Sequence, residues 1–209
     1  MRVGLTDGVR AADHRFVGEI CGFGTASGCR VVIGRWPRSP FGSFADAMVE
    51  QPDGHRLLIA PTDEVATYVS GVYGFDETVV ATVGTERSDG RLRFDGGPLV
   101  ADVTIGGRDP LGWALRGVPS AIATSTRWAA LVDPIARLTM RGVRTRGTTT
   151  GGQEFYGATD RHHVEAVHAT WDGVELGPLA DVDPPVRFGF SSAPRHPSIV
   201  AVTTTVRPR

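Results

Sequence analysis

Residues 36–50 read Trp36-Pro37-Arg38-Ser39-Pro40-Phe41-Gly42-Ser43-Phe44-Ala45-Asp46-Ala47-Met48-Val49-Glu50, and the chain continues to Val72-Tyr73-Gly74-Phe75-Asp76-Glu77. Proline and glycine punctuate this stretch into a turn, a strand, a hairpin, a second strand and a helix. Ser39-Pro40-Phe41-Gly42 is the turn, and Phe44 to Glu50 follows it as a strand. Pro52-Asp53-Gly54 is a hairpin turn in which glycine supplies the positive φ, and His55 to Ala60 is the return strand. Pro61-Thr62-Asp63-Glu64 opens a helix: Thr62 can cap it, and the two carboxylates sit where the positive end of the helix dipole favours them. Val65, Tyr68, Val69, Val72 and Tyr73 then recur at helical spacing, one apolar stripe that ends at Gly74.

On the N-terminal side, residues 1–18 are polar and aperiodic with Gly4, Gly8 and Gly18, which predicts a poorly ordered arm. Gly22 to Gly28 has the glycine content of a phosphate-binding loop. The β-branched run Arg30-Val31-Val32-Ile33 follows it instead of a helix, so a turn between strands is expected. Gly34-Arg35-Trp36 matches the Gly-x-Trp signature of lipocalins, but Pro37 breaks the strand that motif sits on, leaving a lipocalin-like carrier as a minor alternative.

On the C-terminal side, Thr78–Val83, Arg91–Phe94 and Leu99–Ile105 are separated by Ser88-Asp89-Gly90 and Asp95-Gly96-Gly97, the pattern of an antiparallel meander. Asp109-Pro110 opens a helical insert that runs to Gly142 and is cut into short pieces by Pro119 and Pro134. Trp113 and Trp128 within it either close over something or anchor the insert on the sheet. Past a glycine-threonine loop at 147–152, strands are expected at Glu154–Ala158 and His163–Trp171, in a hairpin at Asp172-Gly173, and at Ile199–Val206. Roughly ten strands with two helical zones predict a mainly β (α+β) fold, an antiparallel barrel with helices packed outside.

The chain has 209 residues, enough for one domain with a sizeable core. Its 22 basic residues are all arginine and face 23 acidic ones, so no electrostatic footprint for nucleic acid is present. No apolar run approaches the roughly 18 residues of a membrane span, and Met1 to Asp7 contains no apolar signal segment, so a cytoplasmic protein without membrane contact is expected. Cys21 and Cys29 have no ligand-spaced partner and read as reduced, buried thiols. In His162-His163-x-Glu165-x-x-His168, period two places His163 and Glu165 on one strand face and His162 and His168 on the other, so neither metal nor cofactor is expected. Neither a Gly-x-Ser-x-Gly elbow nor a Walker loop occurs.

Ser39-Pro40-Phe41-Gly42 followed by Phe44 and Asp46, then a hairpin, a helix and Tyr73-Gly74-Phe75-Asp76-Glu77, resembles the acetoacetate decarboxylase-like family. His168 to Gly173 with the later Pro178-Leu179 is similar to that family's aromatic-glycine hairpin. The resemblance spans residues 30–80 and 160–185. It puts Asp46 at the position of a family glutamate, Asp76 in place of a proline, and Glu77 in place of the imine-forming lysine; the family's N-terminal active-site arginine has no clear counterpart. This chain contains no lysine at all, so no side-chain amine is available for imine chemistry, and Schiff-base decarboxylation is expected to be absent.

The resemblance implies a barrel that binds a small organic acid or apolar metabolite, as a carrier, a sensor or a non-imine enzyme. Ligand-binding candidates are Arg38, Phe44, Asp46, Glu50, Tyr73 and Glu77; no residue is assigned a catalytic role. Asp46 and Glu50 lie four apart on one strand face, where a carboxylate pair in a cleft could do acid–base work. The alternative is a structural or interaction protein that uses the helical insert as a partner or self-association surface, and a homo-oligomer suits either reading.

Overall fold

The computed structural model describes residues 12–208. The chain begins with β1 (His14–Thr25), β2 (Arg30–Arg38), β3 (Phe44–Glu50), β4 (Arg56–Ala60), α1 (Asp63–Val72) and β5 (Glu77–Val80). It continues with β6 (Val83–Ser88), β7 (Arg91–Gly96), β8 (Leu99–Arg108), α2 (Pro110–Arg116), α3 (Ser120–Ala123) and α4 (Thr126–Thr139). It ends with β9 (Arg146–Thr149), β10 (Gly152–Trp171), β11 (Val174–Glu175), β12 (Leu179–Ala180) and β13 (Ser198–Pro208).

The strands form one sheet in the order β5-β4-β3-β2-β1-β13-β10-β8-β7-β6, with β9 and β11 added to β10 and β12 to β1. The fold is therefore mainly β, but the expected closed antiparallel barrel is not what forms: the sheet is curled, mixed and open. The departure starts at β5. Thr78–Val83 was expected to be a single meander strand, yet β5 pairs parallel with β4, with α1 as the crossover, and β6 pairs antiparallel with β7 at the far end. The strand order is not sequential across β1-β13-β10-β8, which also departs from the up-and-down barrel a lipocalin needs.

Three further expectations are corrected. Residues 14–18 are not an arm but the start of β1, paired with β13 from His14 to Gly22 and with β2 from Val17; residues 1–11 lie outside the described residues. Gly18, read as flexibility, stands where the register shifts between Val17 and Glu19, and a Cβ there would lie 1.9 Å from the Arg35 carbonyl oxygen. Pro37 does not break its strand, because it sits near the end of β2 beside that same irregularity. Pro134 does not cut the insert: α4 runs through it, forgoing one backbone bond, while Asp133 Oδ1 accepts from Thr145 N and Arg146 N and ties the helix to the following strand.

Side-chain alternation sorts the sheet into two sides. Val31, Ile33, Ala47 and Val49 meet Cys21, Phe23, Leu92, Phe94, Leu99 and Val103 in a fully buried apolar core where the curled sheet folds upon itself. The intervening residues point the other way. There α1 lays Val65, Ala66 and Val69 on Leu58 and Ala60, and the segment at 182–188 packs Val182, Val186 and Phe188 near Val32, Met48 and Tyr73. The predicted helix starts are both present: Thr62 Oγ1 accepts from Val65 N at 3.3 Å and Asp109 Oδ1 from Gly112 N at 2.7 Å. Gly112 brings α2 tight onto β10, since a Cβ there would lie 2.1 Å from the Arg161 carbonyl oxygen. Among the described residues no helix is long and apolar enough to cross a membrane.

Candidate functional site

Between the second sheet face and its helical cover lies a cavity of about 630 Å³, within the range of small-molecule sites. Its floor is the alternate set of side chains: Phe16 and Ile20 from β1, Val32 and Trp36 from β2, Phe44, Asp46 and Met48 from β3, and Val200, Val202, Thr204 and Val206 from β13. Tyr68, Val69 and Tyr73 of α1 form one wall, and Leu111, Leu115, Trp128 and Val132 of the insert form the roof. Glu154, Tyr156 and Ala158 of β10 face inward at period two. The register then shifts between Ala158 and Asp160, so the odd-numbered Arg161 faces the same cavity.

Against this apolar lining stand two buried carboxyls. Asp46 Oδ1 accepts from Trp36 Nε1 at 3.0 Å. The bond passes over Gly34, where a Cβ would lie 2.4 Å from that oxygen; no side chain but hydrogen fits. Burial pushes the Asp46 carboxyl up to about 7, opposed by the indole hydrogen bond. Glu154 is the second. Tyr73 Oη donates to Glu154 Oε1 at 2.5 Å. Having one proton, Tyr73 must then accept from Tyr156 Oη at 2.8 Å. Burial pushes Glu154 up to about 7 against the pull of the tyrosine hydroxyls, and burial with the adjacent carboxylate holds Tyr73 and Tyr156 well above the usual phenol range. Glu154 Oε2 and Thr204 Oγ1 are buried without a hydrogen-bond partner. Arg161 forms an ion pair with Asp109, its Nε 3.3 Å from Oδ2, but that buried Nε too has no hydrogen-bond partner.

The candidates from the sequence divide evenly. Phe44, Asp46 and Tyr73 come together on the cavity wall. Glu50 shares the face of Asp46 and is fully buried, but it lies off the wall, spent on Arg30 at 3.3 Å and Arg187 at 3.0 Å. Arg38 is exposed at the end of β2. Glu77 is exposed too, its side chain 53% accessible and 3.2 Å from His55 Nε2, so the position standing for the family's lysine does not face this cavity. Glu154, Tyr156, Thr204 and Arg161 were missed. A carboxylate alternating with an aromatic in a predicted strand was the available signal for the first two; nothing local marks the others.

Elsewhere, His162 Nδ1 contacts Gly106 O, His163 Glu165 and His168 Glu175, three separate partners. No group of three or more His, Cys, Asp or Glu is placed to hold a metal ion among the described residues. Cys21 and Cys29 are free and buried, and burial pushes the Cys21 thiol up to about 12.

Neither a protein-family model nor a curated protein matches the chain. Among solved structures it is similar to the acetoacetate decarboxylase of Legionella pneumophila, with a TM-score of 0.47 and 10% sequence identity over 100% of this chain and 90% of that one.

Proposed function

We propose that the protein binds a small, largely apolar organic molecule in the cavity between the sheet and its helical cover, as a carrier, a sensor or an enzyme that does not use an imine. The observation that carries this reading is an apolar space of about 630 Å³ with a few buried, convergent polar groups. A kinship with the acetoacetate decarboxylase-like family belongs to the same proposal and rests on the motifs at 39–46 and 73–78. Its imine chemistry does not transfer, because the chain has no lysine and a carboxylate neither forms nor supports an imine.

Thermal-shift screening against keto acids, fatty acids and aromatic metabolites tests the reading. A ligand at a hundredfold excess over its Kd should raise Tm by roughly 5–10 °C and perturb the fluorescence of Trp36 and Trp128 in the cavity lining. If no class shifts either signal, the proposal fails. Borohydride with acetoacetate should leave every side chain unmodified; a trapped side-chain imine would overturn the non-imine assignment.

A second reading has one observation in its favour. Trp113, Leu131 and Leu138 of the insert are 61%, 67% and 88% exposed and do not line the cavity, an apolar surface of the kind that contacts a second copy. Sedimentation would reveal such self-association, and Leu138→Glu should abolish it; a monomer across the working concentration range removes this reading.

A further inference from the structure

The polar end of the cavity is more specific than the cavity itself. Glu154 and Tyr156 are two apart on β10 and face the same side, and Thr204 of β13 stands directly opposite Tyr156 in the ladder. Direct cross-strand neighbours on one face stand about 5 Å apart and diagonal ones roughly 7–8 Å, so Glu154 and Thr204 lie within reach of one small group. Each offers it an unmet atom, Glu154 Oε2 and Thr204 Oγ1, both buried. Native interiors leave few buried polar atoms unpaired; of the three in residues lining this cavity, Arg161 Nε lies farther along β10, and the two from neighbouring positions mark a place where a ligand completes the bonding.

Resting on the cavity reading above, we infer that the ligand is an uncharged apolar molecule carrying a carbonyl or hydroxyl oxygen, and that this oxygen sits between Glu154 Oε2 and Thr204 Oγ1. The carboxyl is held in place from its other oxygen, which accepts from Tyr73, itself backed by Tyr156. Oε2 is thus aimed without being used. A protonated Glu154 donates to a ligand carbonyl and an ionised one accepts from a ligand hydroxyl, while Thr204 can do either. An anionic head group at this point would face Glu154, with Asp46 also on the wall; of the two arginines in the lining, Arg161 stands five residues beyond Tyr156 on β10 with its Nε 3.3 Å from Asp109, and Arg144 is exposed to solvent. Repulsion at short range in a poorly hydrated site therefore selects against carboxylates.

The test is a near-isosteric series: 4-phenylbutan-2-one, 4-phenylbutan-2-ol, butylbenzene and 3-phenylpropanoate, titrated at pH 6 and at pH 8 with cavity tryptophan fluorescence as the readout. The ketone at pH 6, where Glu154 donates, and the alcohol at pH 8, where it accepts, should bind about three- to tenfold tighter than butylbenzene, the worth of a hydrogen bond, and 3-phenylpropanoate should bind most weakly at pH 8. Thr204→Val replaces the unpartnered hydroxyl with a methyl and should bring ketone and alcohol within about twofold of butylbenzene, leaving butylbenzene itself unchanged. Glu154→Leu should do the same, and Thr204→Val decides alone if that variant does not fold. The inference is overturned if 3-phenylpropanoate binds as tightly as the alcohol at pH 8, if butylbenzene equals the ketone at pH 6 or the alcohol at pH 8 in the wild type, or if Thr204→Val preserves the preference. In each of those cases the cavity reading survives, whereas failure of all four compounds to bind removes both.

Discussion

The two faces of one sheet are built from the same strands and the same alternation, yet one is full and the other hollow. On the inner face Phe23, Ile33, Val49, Phe94 and Leu99 interdigitate with no solvent access, which is possible because curling brings β1–β4 against β7 and β8. On the other face the cover is made of helices and a loop, whose backbones stand off the sheet and leave about 630 Å³ unfilled. The second contrast is electrical. The core cluster contains no ionisable group except the Cys21 and Cys29 thiols, while the cavity face buries Asp46 and Glu154. A filled apolar face is what stability alone would select; a hollow one with two buried carboxyls costs stability, which is the contrast the proposed ligand would explain.

That contrast can be broken by substitution. Phe23→Ala on the filled face should cost about 3–5 kcal/mol in denaturant unfolding; a loss below about 1 kcal/mol would mean the core is not close-packed. Trp36→Phe on the hollow face removes the donor to Asp46 and leaves a buried oxygen unpaired, so a smaller loss of about 1–3 kcal/mol is expected. The carboxyls should also make stability depend on pH in a definite direction. With folded-state values near 7 against ordinary values of 3.8 and 4.5, the folded protein holds more protons than the unfolded chain between about pH 4 and 7. Their stabilising contribution is therefore whole below that window and lost as pH rises through it, by up to about 1.4 kcal/mol per pH unit for each group. Asp46→Asn should remove one such share from the slope of unfolding free energy measured from pH 5 to 8; an unchanged slope would show that Asp46 is ionised throughout. The finest comparison pairs Ile33→Val, expected to cost about 1 kcal/mol, with Ile20→Val on the cavity wall, expected to cost under about 0.5 kcal/mol because the deleted methyl borders space already empty. Equal costs would mean the cavity is filled by rearrangement in solution.

Local signals carried part of this plan. The strand at Phe44–Glu50, the hairpin at Gly54 with its φ of +90°, and α1 with its Thr62 cap follow from turn chemistry and periodicity that lie within a few residues of the features they specify. The same holds for the Asp109 cap and, within the site, for Phe44, Asp46 and Tyr73. Long-range pairing left no such mark. The parallel partnership of β4 and β5, the split between β5 and β6, and the merging of two expected strands and a loop edge into β9 and the twenty-residue β10 depend on distant partners. Glycine misled at Gly18, where it signals a backbone crossing rather than a loose end. Glu77 misled because a match of motif order does not fix which way a side chain points, and β5 turns it to solvent beside His55.

The irregularity between Ala158 and Asp160 has a consequence for how such a pocket can change. Because it inverts the parity of β10, residues on either side of it obey opposite rules for facing inward. Losing the extra residue there would straighten the strand and keep every pairing, Ala158 opposite Val202 and Arg161 opposite Val200, so both halves of the lining would still face inward. The pocket wall can thus absorb a one-residue deletion at this point, whereas the same deletion in a regular stretch of β10 would turn every later side chain to the other face.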